Sequence, residues 1–282
     1  MAQQALGPDL AKLKHHSSWW RVLLIGLLAL VVGIVLLPLT QNPNLFPTVV
    51  MVGSFLVPVA YVAFFYDHRH LSDLDVPSVA KAFLYGGLLG VLSASVLEPL
   101  FIGSLNLVTV FVVGIIEELV KVPGVLIIAR HHRHDSELDG MVLGAASGMG
   151  FAALESMGYA FSAFMASRGS LSAVVGIMLF RGLLSPMGHG TWTAILVGVL
   201  FRESRPGHFR FNGKVLIAYL TVVILHGLWD GLPQVLAMVL RSNWGVPLAQ
   251  LLVGGVSIFI LWRRWREAER LQVLRNATAP AA

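Results

Sequence analysis

Long apolar stretches separated by short polar segments run along almost the whole chain. A helix rises about 1.5 Å per residue, so about 20 apolar residues cross the hydrocarbon core of a membrane. Eight stretches approach or exceed this length: Trp19–Leu39, Pro47–Tyr66, Val79–Leu97, Leu107–Ala129, Asp139–Met165, Leu171–Leu200, Lys214–Met238 and Val246–Trp262. The pattern predicts an all-α polytopic membrane protein, a bundle of about eight transmembrane helices. The sixth stretch is long enough to tilt or break near Pro186.

The composition agrees with a chain whose solvent is lipid. Of 282 residues, 56% are hydrophobic and 12% are charged, whereas soluble domains carry about 25% charged residues. A soluble globular protein is therefore excluded. The chain has no cysteine, which excludes disulfides, iron–sulfur clusters and thiol nucleophiles. A metal site would have to use histidines and carboxylates.

The basic residues predict the orientation of the helices, because loops rich in Lys and Arg stay in the cytoplasm. With the N-terminus inside, 16 of the 20 bases lie on the cytoplasmic side, and only Arg168 and Arg241 lie outside. An even number of helices places the C-terminus inside as well. We predict a multi-pass protein of the plasma membrane with both termini cytoplasmic, whose net charge of +5 reflects this topology and not nucleic-acid binding.

The domain organisation follows from these spans. Residues 1–18 form a cytoplasmic segment, residues 19–265 form a single transmembrane helical domain, and residues 266–282 form a basic, then flexible, cytoplasmic tail. The first span is expected to be a retained anchor, since no small-residue cleavage site follows it. The sequence gives no information on the oligomeric state.

Ionisable side chains inside the spans are the main functional signal. Each costs about 2.5–3.5 kcal/mol at the bilayer centre on insertion scales. They are Glu117, Glu118 and Lys121 in the fourth span, Glu155 in the fifth, Arg181 and His189 in the sixth, and His226 and Asp230 in the seventh. All lie within a turn or two of the midplane, so we predict that they face one another in one polar site.

The spacing of these residues indicates pairs. Lys121 follows Glu117 by four residues and Glu118 by three, so it can pair with either carboxylate. His226 and Asp230 are four residues apart and share a helix face. Asp230 can therefore orient the imidazole or join it around a metal.

Other polar and aromatic residues in or near the spans allow either a functional or a structural interpretation. Arg181 is either a packing group or the partner of a carboxylate, and Trp192 and Trp229 either line the site or pack beside it. Glu98 lies at the end of a span and is expected to be interfacial. The His-rich loop at residues 131–134 is expected to contact anionic headgroups.

The common catalytic motifs are missing from the sequence. There is no His-Glu-x-x-His, no phosphate-binding loop, no Gly-x-Gly-Asp and no convincing Gly-x-Ser-x-Gly. What remains is a set of carboxylates and two histidines, which suits activation of water and stabilisation of an oxyanion.

Four ordered motifs resemble those of the PrsW family of intramembrane proteases, which is similar to the CAAX-prenyl endopeptidase and bacteriocin-processing group. They are Glu117-Glu118-x-x-Lys121, Phe151-x-x-x-Glu155, His189 in Met187-Gly188-His189-Gly190, and His226-x-x-x-Asp230. The resemblance runs from about residue 108 to 231. It implies a peptidase of a bacterial plasma membrane that cuts membrane-anchored proteins such as anti-sigma factors.

The resemblance also implies residue roles and a catalytic core at about residues 107–238. Glu117 and Glu118 would be the catalytic pair, with Lys121 beside them, and Glu155, His189, His226 and Asp230 would complete the site, while Phe151 would be structural. The wider group has His where this chain has Glu155, so the resemblance does not extend to CAAX processing.

Charge counting leaves two chemistries open. The four acids of the site and its two bases leave a net charge of about −2, which zinc bound by His189, His226 and Glu155 would neutralise. Shared protons or charged imidazoles would do the same in a metal-free glutamate mechanism. Zinc is the preferred expectation.

Two other function classes remain as alternatives. Midplane carboxylates and histidines also serve proton- or ion-coupled transporters, although no inverted repeat is apparent. A non-catalytic membrane scaffold is the other alternative. For the protease, the expected partners are a membrane-anchored protein substrate and the lipid bilayer, and no nucleic acid.

Overall fold

The structure is a computed structural model that describes residues 18–69, 71, 72, 74–130, 136–205 and 208–278. Within these residues the regular secondary structure is entirely helical, and extended backbone pairs only in an isolated bridge between Arg205 and His208. The all-α prediction is confirmed. The predicted N-terminal segment up to residue 17, the His-rich loop at 131–134 and residues 279–282 lie outside the described residues.

Ten α-helices are present in the described part of the chain. They are α1 (Trp19–Thr40), α2 (Leu45–Asp67), α3 (Val76–Phe101), α4 (Thr109–Val120), α5 (Val122–Ala129), α6 (Glu137–Ala166), α7 (Leu171–Leu184), α8 (His189–Glu203), α9 (Gly213–Leu240) and α10 (Gly245–Thr278). A 3₁₀ turn, Ser185–Met187, joins α7 to α8.

Six segments of the described chain are long and apolar enough to cross a membrane. They are Trp19–Thr40, Leu45–Asp67, Val76–Phe101, Leu171–Glu203, Gly213–Leu240 and Gly245–Arg275. A multi-pass membrane protein is therefore supported, whereas the predicted count of about eight spans is not confirmed. The two predicted spans outside this set are the fourth and the fifth.

The fourth predicted span is two short helices. It breaks at Lys121, between α4 and α5, because Pro123 has no amide hydrogen and stands in the first turn of α5. The Ser147 hydroxyl donates a hydrogen bond to the Lys121 carbonyl over 2.8 Å at this break. Each half is shorter than a membrane crossing requires.

The fifth predicted span is α6, the central helix of the bundle. Glycines at four-residue steps, Gly140, Gly144 and Gly148, face the backbone of α8. A Cβ at Gly140 would lie 2.6 Å from the Val197 carbonyl oxygen, and one at Gly148 would overlap the carbonyl oxygen of His189. Small side chains lower the hydropathy of α6, but they permit the close packing that places the start of α8 against it.

The sixth predicted span breaks where its proline predicted. Helix α7 ends at Leu184, the 3₁₀ turn contains Pro186, and α8 begins at His189. The break places His189 at the first residue of a helix, inside the bundle.

The two ends of the bundle can be told apart by their charges. At the end that we term the basic end, the Asp67 carboxylate at the end of α2 accepts from the backbone amide of Trp19 at the start of α1 over 3.0 Å. At this end Glu137 of α6 and Arg202 of α8 belong to an ionic cluster with Arg264 of α10. The opposite end, where α3, α6 and α9 terminate, is termed the distal end.

Candidate active site

Ionisable side chains from four parts of the chain meet inside the bundle. Glu117 and Glu118 lie near the end of α4, and Lys121 lies at the break that follows. Glu155 of α6, His189 of α8 and His226 of α9 complete the group. The structure thus brings together the residues that the cost of charges in lipid predicted to converge.

Glu118 is the centre of a sealed arm of the site. Lys121 Nζ donates to Glu118 Oε1 over 2.7 Å, and His226 Nδ1 lies 2.9 Å from the same oxygen. An ionised carboxylate only accepts hydrogen bonds, so Nδ1 of His226 carries a proton toward Glu118. Thr193 Oγ1 lies 3.4 Å from the second Glu118 oxygen. Glu118, Lys121 and His226 are buried.

Glu155 is the centre of a second, open arm. Arg181 Nη2 donates to Glu155 Oε2 over 2.6 Å, and His189 Nε2 lies 3.1 Å from the same oxygen. Nε2 therefore carries the proton, and Nδ1 of His189 accepts from Lys121 Nζ at 2.8 Å. Arg181 also lies over the Tyr159 ring, 4.1 Å from its centroid. Of the two interpretations of Arg181, the structure shows the carboxylate partner.

Glu117 lies between the two arms and is the least tightly paired of the three glutamates. Its Oε2 atom is 3.8 Å from His189 Nδ1, 3.8 Å from His226 Nε2 and 3.4 Å from Lys121 Nζ. It thus faces Nδ1 of His189 and Nε2 of His226, the ring nitrogens that point away from Glu155 and Glu118, respectively. One carboxylate oxygen and one nitrogen of each histidine converge here.

A divalent metal held by Glu117, His189 and His226 would take the lone pair of His189 Nδ1 from Lys121 Nζ, which donates to it over 2.8 Å in this structure. The ligand atoms of these three residues all lie within 4.8 Å of one another. Two ligands about 2.0–2.1 Å from a tetrahedral zinc lie about 3.3–3.4 Å apart, so each 3.8 Å separation from Glu117 would shorten by about 0.4–0.5 Å around an ion. Three ligands of this type leave a fourth position for water or substrate.

This set differs from the predicted one in its carboxylate. The sequence predicted Glu155 as the carboxylate beside the two histidines, whereas the structure groups Glu117 with them. Glu155 contacts the other nitrogen of His189 and is held there by Arg181. It therefore occupies the place of an outer carboxylate that orients a ligating histidine.

A cavity of about 770 Å³ borders these residues. Glu117, Glu155, His189, His226 and Asp230 line it, while Glu118 and Lys121 lie behind its wall. The Asp230 side chain is 35% exposed, and its Oδ2 atom lies 3.4 Å from His226 Nε2. Of the two adjacent glutamates, only Glu117 can meet a molecule in the cavity.

Aromatic side chains hold the two histidines. The Trp192 ring stacks on His226 at 4.8 Å and is itself anchored by a 2.9 Å hydrogen bond from Nε1 to the Ser257 hydroxyl. Trp229 lines the cavity, whereas Trp192 packs beside the site. Each tryptophan thus has one of the two roles that the sequence left open. Phe151 is buried, with Lys121 Nζ 4.1 Å from its ring centroid.

Two cavity residues were missed as site residues from the sequence. Glu98 lies near the end of α3 and borders the cavity beside Glu117. Gln250 lies in the second turn of α10 and borders the cavity from there. Gln250 could have been found as a polar residue inside an apolar stretch. It was missed because only charged residues and histidines were counted inside the spans.

Most of the chain matches a known protein family. Residues 76–262, about two thirds of the chain, match the model of a family described as PrsW family intramembrane metalloprotease. No curated protein and no solved structure matches the chain. The matched region runs from the start of α3 to the middle of α10 and includes all four ordered motifs. The chain therefore belongs to the PrsW family of intramembrane metalloproteases.

Proposed function

We propose that this protein hydrolyses peptide bonds of membrane-anchored proteins at the cavity wall formed by Glu117, His189 and His226. Family membership gives the class of activity, a membrane peptidase. The observation that carries the site assignment is the position of Glu117 Oε2, which lies 3.8 Å from His189 Nδ1 and 3.8 Å from His226 Nε2. No other group of three histidines or acids in the described residues has the geometry of a metal site.

Glu117, His189 and His226 would hold the metal of this site, with zinc as the proposed ion. When bound, the ion would polarise the scissile carbonyl and lower the pKa of a water molecule. This proposal replaces Glu155 by Glu117 in the ligand set and leaves Glu155 to orient His189.

The two arms position the imidazoles for this chemistry. Glu118, held by Lys121, fixes the proton of His226 on Nδ1, and Glu155, held by Arg181, fixes the proton of His189 on Nε2. A carboxylate behind a ligating histidine sets its tautomer and ring orientation. Glu118 is therefore a positioning residue in this proposal, whereas Glu117 meets the reacting atoms.

Proton transfer requires a carboxylate that faces the cavity. Asp230 does so beside His226 Nε2. We assign to Asp230 the transfer of a proton from the attacking water to the leaving amine. In a metal-free mechanism Glu117 would take this role, because its carboxylate also borders the cavity.

The cavity reaches toward the distal end of the bundle. Ser162 lies four residues before the end of α6, Gln234 lies six residues before the end of α9, and Asn106 lies in the loop between α3 and α4. If both termini are cytoplasmic, as the basic residues predict, substrates enter from the opposite side of the membrane.

The test of this proposal measures metal content and cleavage in one detergent preparation. We expect about one zinc per chain, loss of cleavage with a chelator, and recovery when zinc is added. Active enzyme with well under one metal per chain would overturn zinc and leave the peptidase assignment. A preparation that binds zinc but cleaves no membrane-anchored substrate would overturn the peptidase assignment.

A further inference from the structure

A side-chain hydrogen bond closes the break between α7 and α8. The 3₁₀ turn Ser185–Met187 interrupts the helix inside the bundle, and His189 follows as the first residue of α8. A carbonyl at such a break needs a donor from the protein, because lipid offers none. The Thr191 hydroxyl donates to the Pro186 carbonyl over 2.6 Å. The bond closes a loop that contains His189 and so restrains the backbone from which this imidazole projects.

A hydroxyl group from α2 supports this bond. The Tyr61 hydroxyl lies 2.8 Å from Thr191 Oγ1. A threonine hydroxyl has one hydrogen, and Thr191 gives it to the Pro186 carbonyl, so Tyr61 is the donor. Thr191 is fully buried, and hydrogen bonds that follow one another in a low-dielectric interior strengthen one another. The two bonds therefore form one chain from α2 to the break.

Helix α2 contacts the chain on both sides of the break. Before the break, a Cβ at Gly182 of α7 would lie 3.7 Å from Cγ2 of Val57, which stands one turn before Tyr61. After the break, Tyr61 reaches Thr191 in the first turn of α8. Helix α2 is thus placed to fix how α8 starts relative to α7.

Resting on the proposed function, we infer that Tyr61 is a positioning residue of the active site. Its hydroxyl holds Thr191, and Thr191 holds the break that sets the position of His189 beside Glu117. Tyr61 lies outside the set of described residues that line the cavity, so it acts without touching the substrate. It also lies outside the matched residues 76–262. Part of the support of the site therefore comes from a helix that the family match does not include.

The first experiment removes one hydroxyl group from the full-length protein. Tyr61→Phe keeps the ring, and kcat for a membrane-anchored protein that the parent cleaves should fall by about three- to tenfold, the effect of one lost hydrogen bond. KM should change by less than about twofold, because Tyr61 does not contact the substrate. Tyr66→Phe makes the same change at another half-buried tyrosine of α2 and is the matched control.

A double-mutant cycle tests the path through Thr191. Thr191→Val keeps the shape of the side chain but removes both hydrogen bonds, so kcat should fall at least as far as in Tyr61→Phe. Adding Tyr61→Phe to Thr191→Val should then lower kcat by less than about twofold more. Losses that multiply independently would overturn this path.

A spectroscopic readout needs neither metal nor substrate. In metal-free protein with isotope-labelled histidine, the ring-nitrogen signals report where the proton of each imidazole lies. Tyr61→Phe should shift or broaden the signals of His189 more than those of His226, and a His189→Gln variant assigns them. A lower unfolding temperature with parental kcat and unchanged His189 signals would show a purely structural role for Tyr61 and overturn the inference.

The two measurements separate this inference from the proposed function. If the parent cleaves membrane-anchored proteins and Tyr61→Phe equals it in kcat and in the His189 signals, the inference fails alone. If the parent cleaves none, the proposed function fails, and the His189 signals still decide whether Tyr61 positions that imidazole.

Discussion

The two histidines of the site are held in the same way but in different surroundings. Each imidazole contacts a carboxylate, and each carboxylate contacts a cation. In the sealed arm the side chains of Glu118 and Lys121 are 0% exposed and that of His226 is 3% exposed. In the open arm the side chains of Glu155 and Arg181 are 20% and 22% exposed.

This difference determines what each arm contributes. In the sealed arm no water can replace a lost partner, and breaking a buried ion pair costs about 3–5 kcal/mol. In the open arm the cavity can supply water to a group that loses its partner, so breaking the pair between Glu155 and Arg181 costs less. The sealed arm therefore belongs to the folded architecture, and the open arm chiefly orients His189.

The largest expected effect is a loss of stability when the sealed arm loses its cation. Lys121→Met leaves the Glu118 charge buried without its closest partner, so we expect the unfolding free energy to fall by about 3–5 kcal/mol. Thermal unfolding in detergent measures it, with the exposed Lys81→Met as control. Adding Glu118→Gln should restore part of the stability, and a Lys121→Met variant as stable as the parent would contradict the assignment of this arm.

The next effect concerns the residue between the arms. Glu117→Gln keeps the shape of the side chain but removes its charge, so cleavage of a membrane-anchored substrate should fall by about 100-fold or more with little change in stability. Glu118→Gln is the matched comparison and should also lower the unfolding temperature. Near-normal cleavage by the Glu117→Gln variant would remove this carboxylate from the mechanism.

The smallest effect is expected in the open arm. Arg181→Gln releases Glu155 and loosens His189, so activity should fall by about tenfold, the lower range for an outer partner of a metal ligand. The unfolding free energy should fall by less than it does in the Lys121→Met variant, because water from the cavity can reach the freed Glu155 carboxylate. Arg241→Gln, an exposed arginine after α9, is the control. If Arg181→Gln destabilises the protein as much as Lys121→Met, the distinction between the arms is wrong.

Much of the fold could be predicted because lipid imposes local rules. A helix must satisfy its own backbone and present apolar side chains, so the apolar stretches predicted α1, α2, α3 and α9 closely. They also predicted the start of α10, but this helix continues 16 residues beyond the predicted end at Trp262. Proline acts on the backbone next to it, so the break at Pro186 was also visible. The break at Lys121 was not predicted, because the apolar stretch continues past Pro123 and other prolines of the chain, such as Pro58 and Pro233, stand inside unbroken helices.

Part of the site could likewise be predicted from the sequence, and part could not. The amino-acid sequence by itself determined which residues must converge, because charges at one depth in lipid cannot remain apart. It also determined that Glu117 and Glu118, being adjacent on a helix, differ in direction by about 100°. Only the tertiary structure decided which of them faces the cavity, that Glu117 rather than Glu155 joins the histidines, and that Gln250 borders the same space. These outcomes depend on the rotation and close approach of whole helices, which the packing of several segments sets together and no local pattern records.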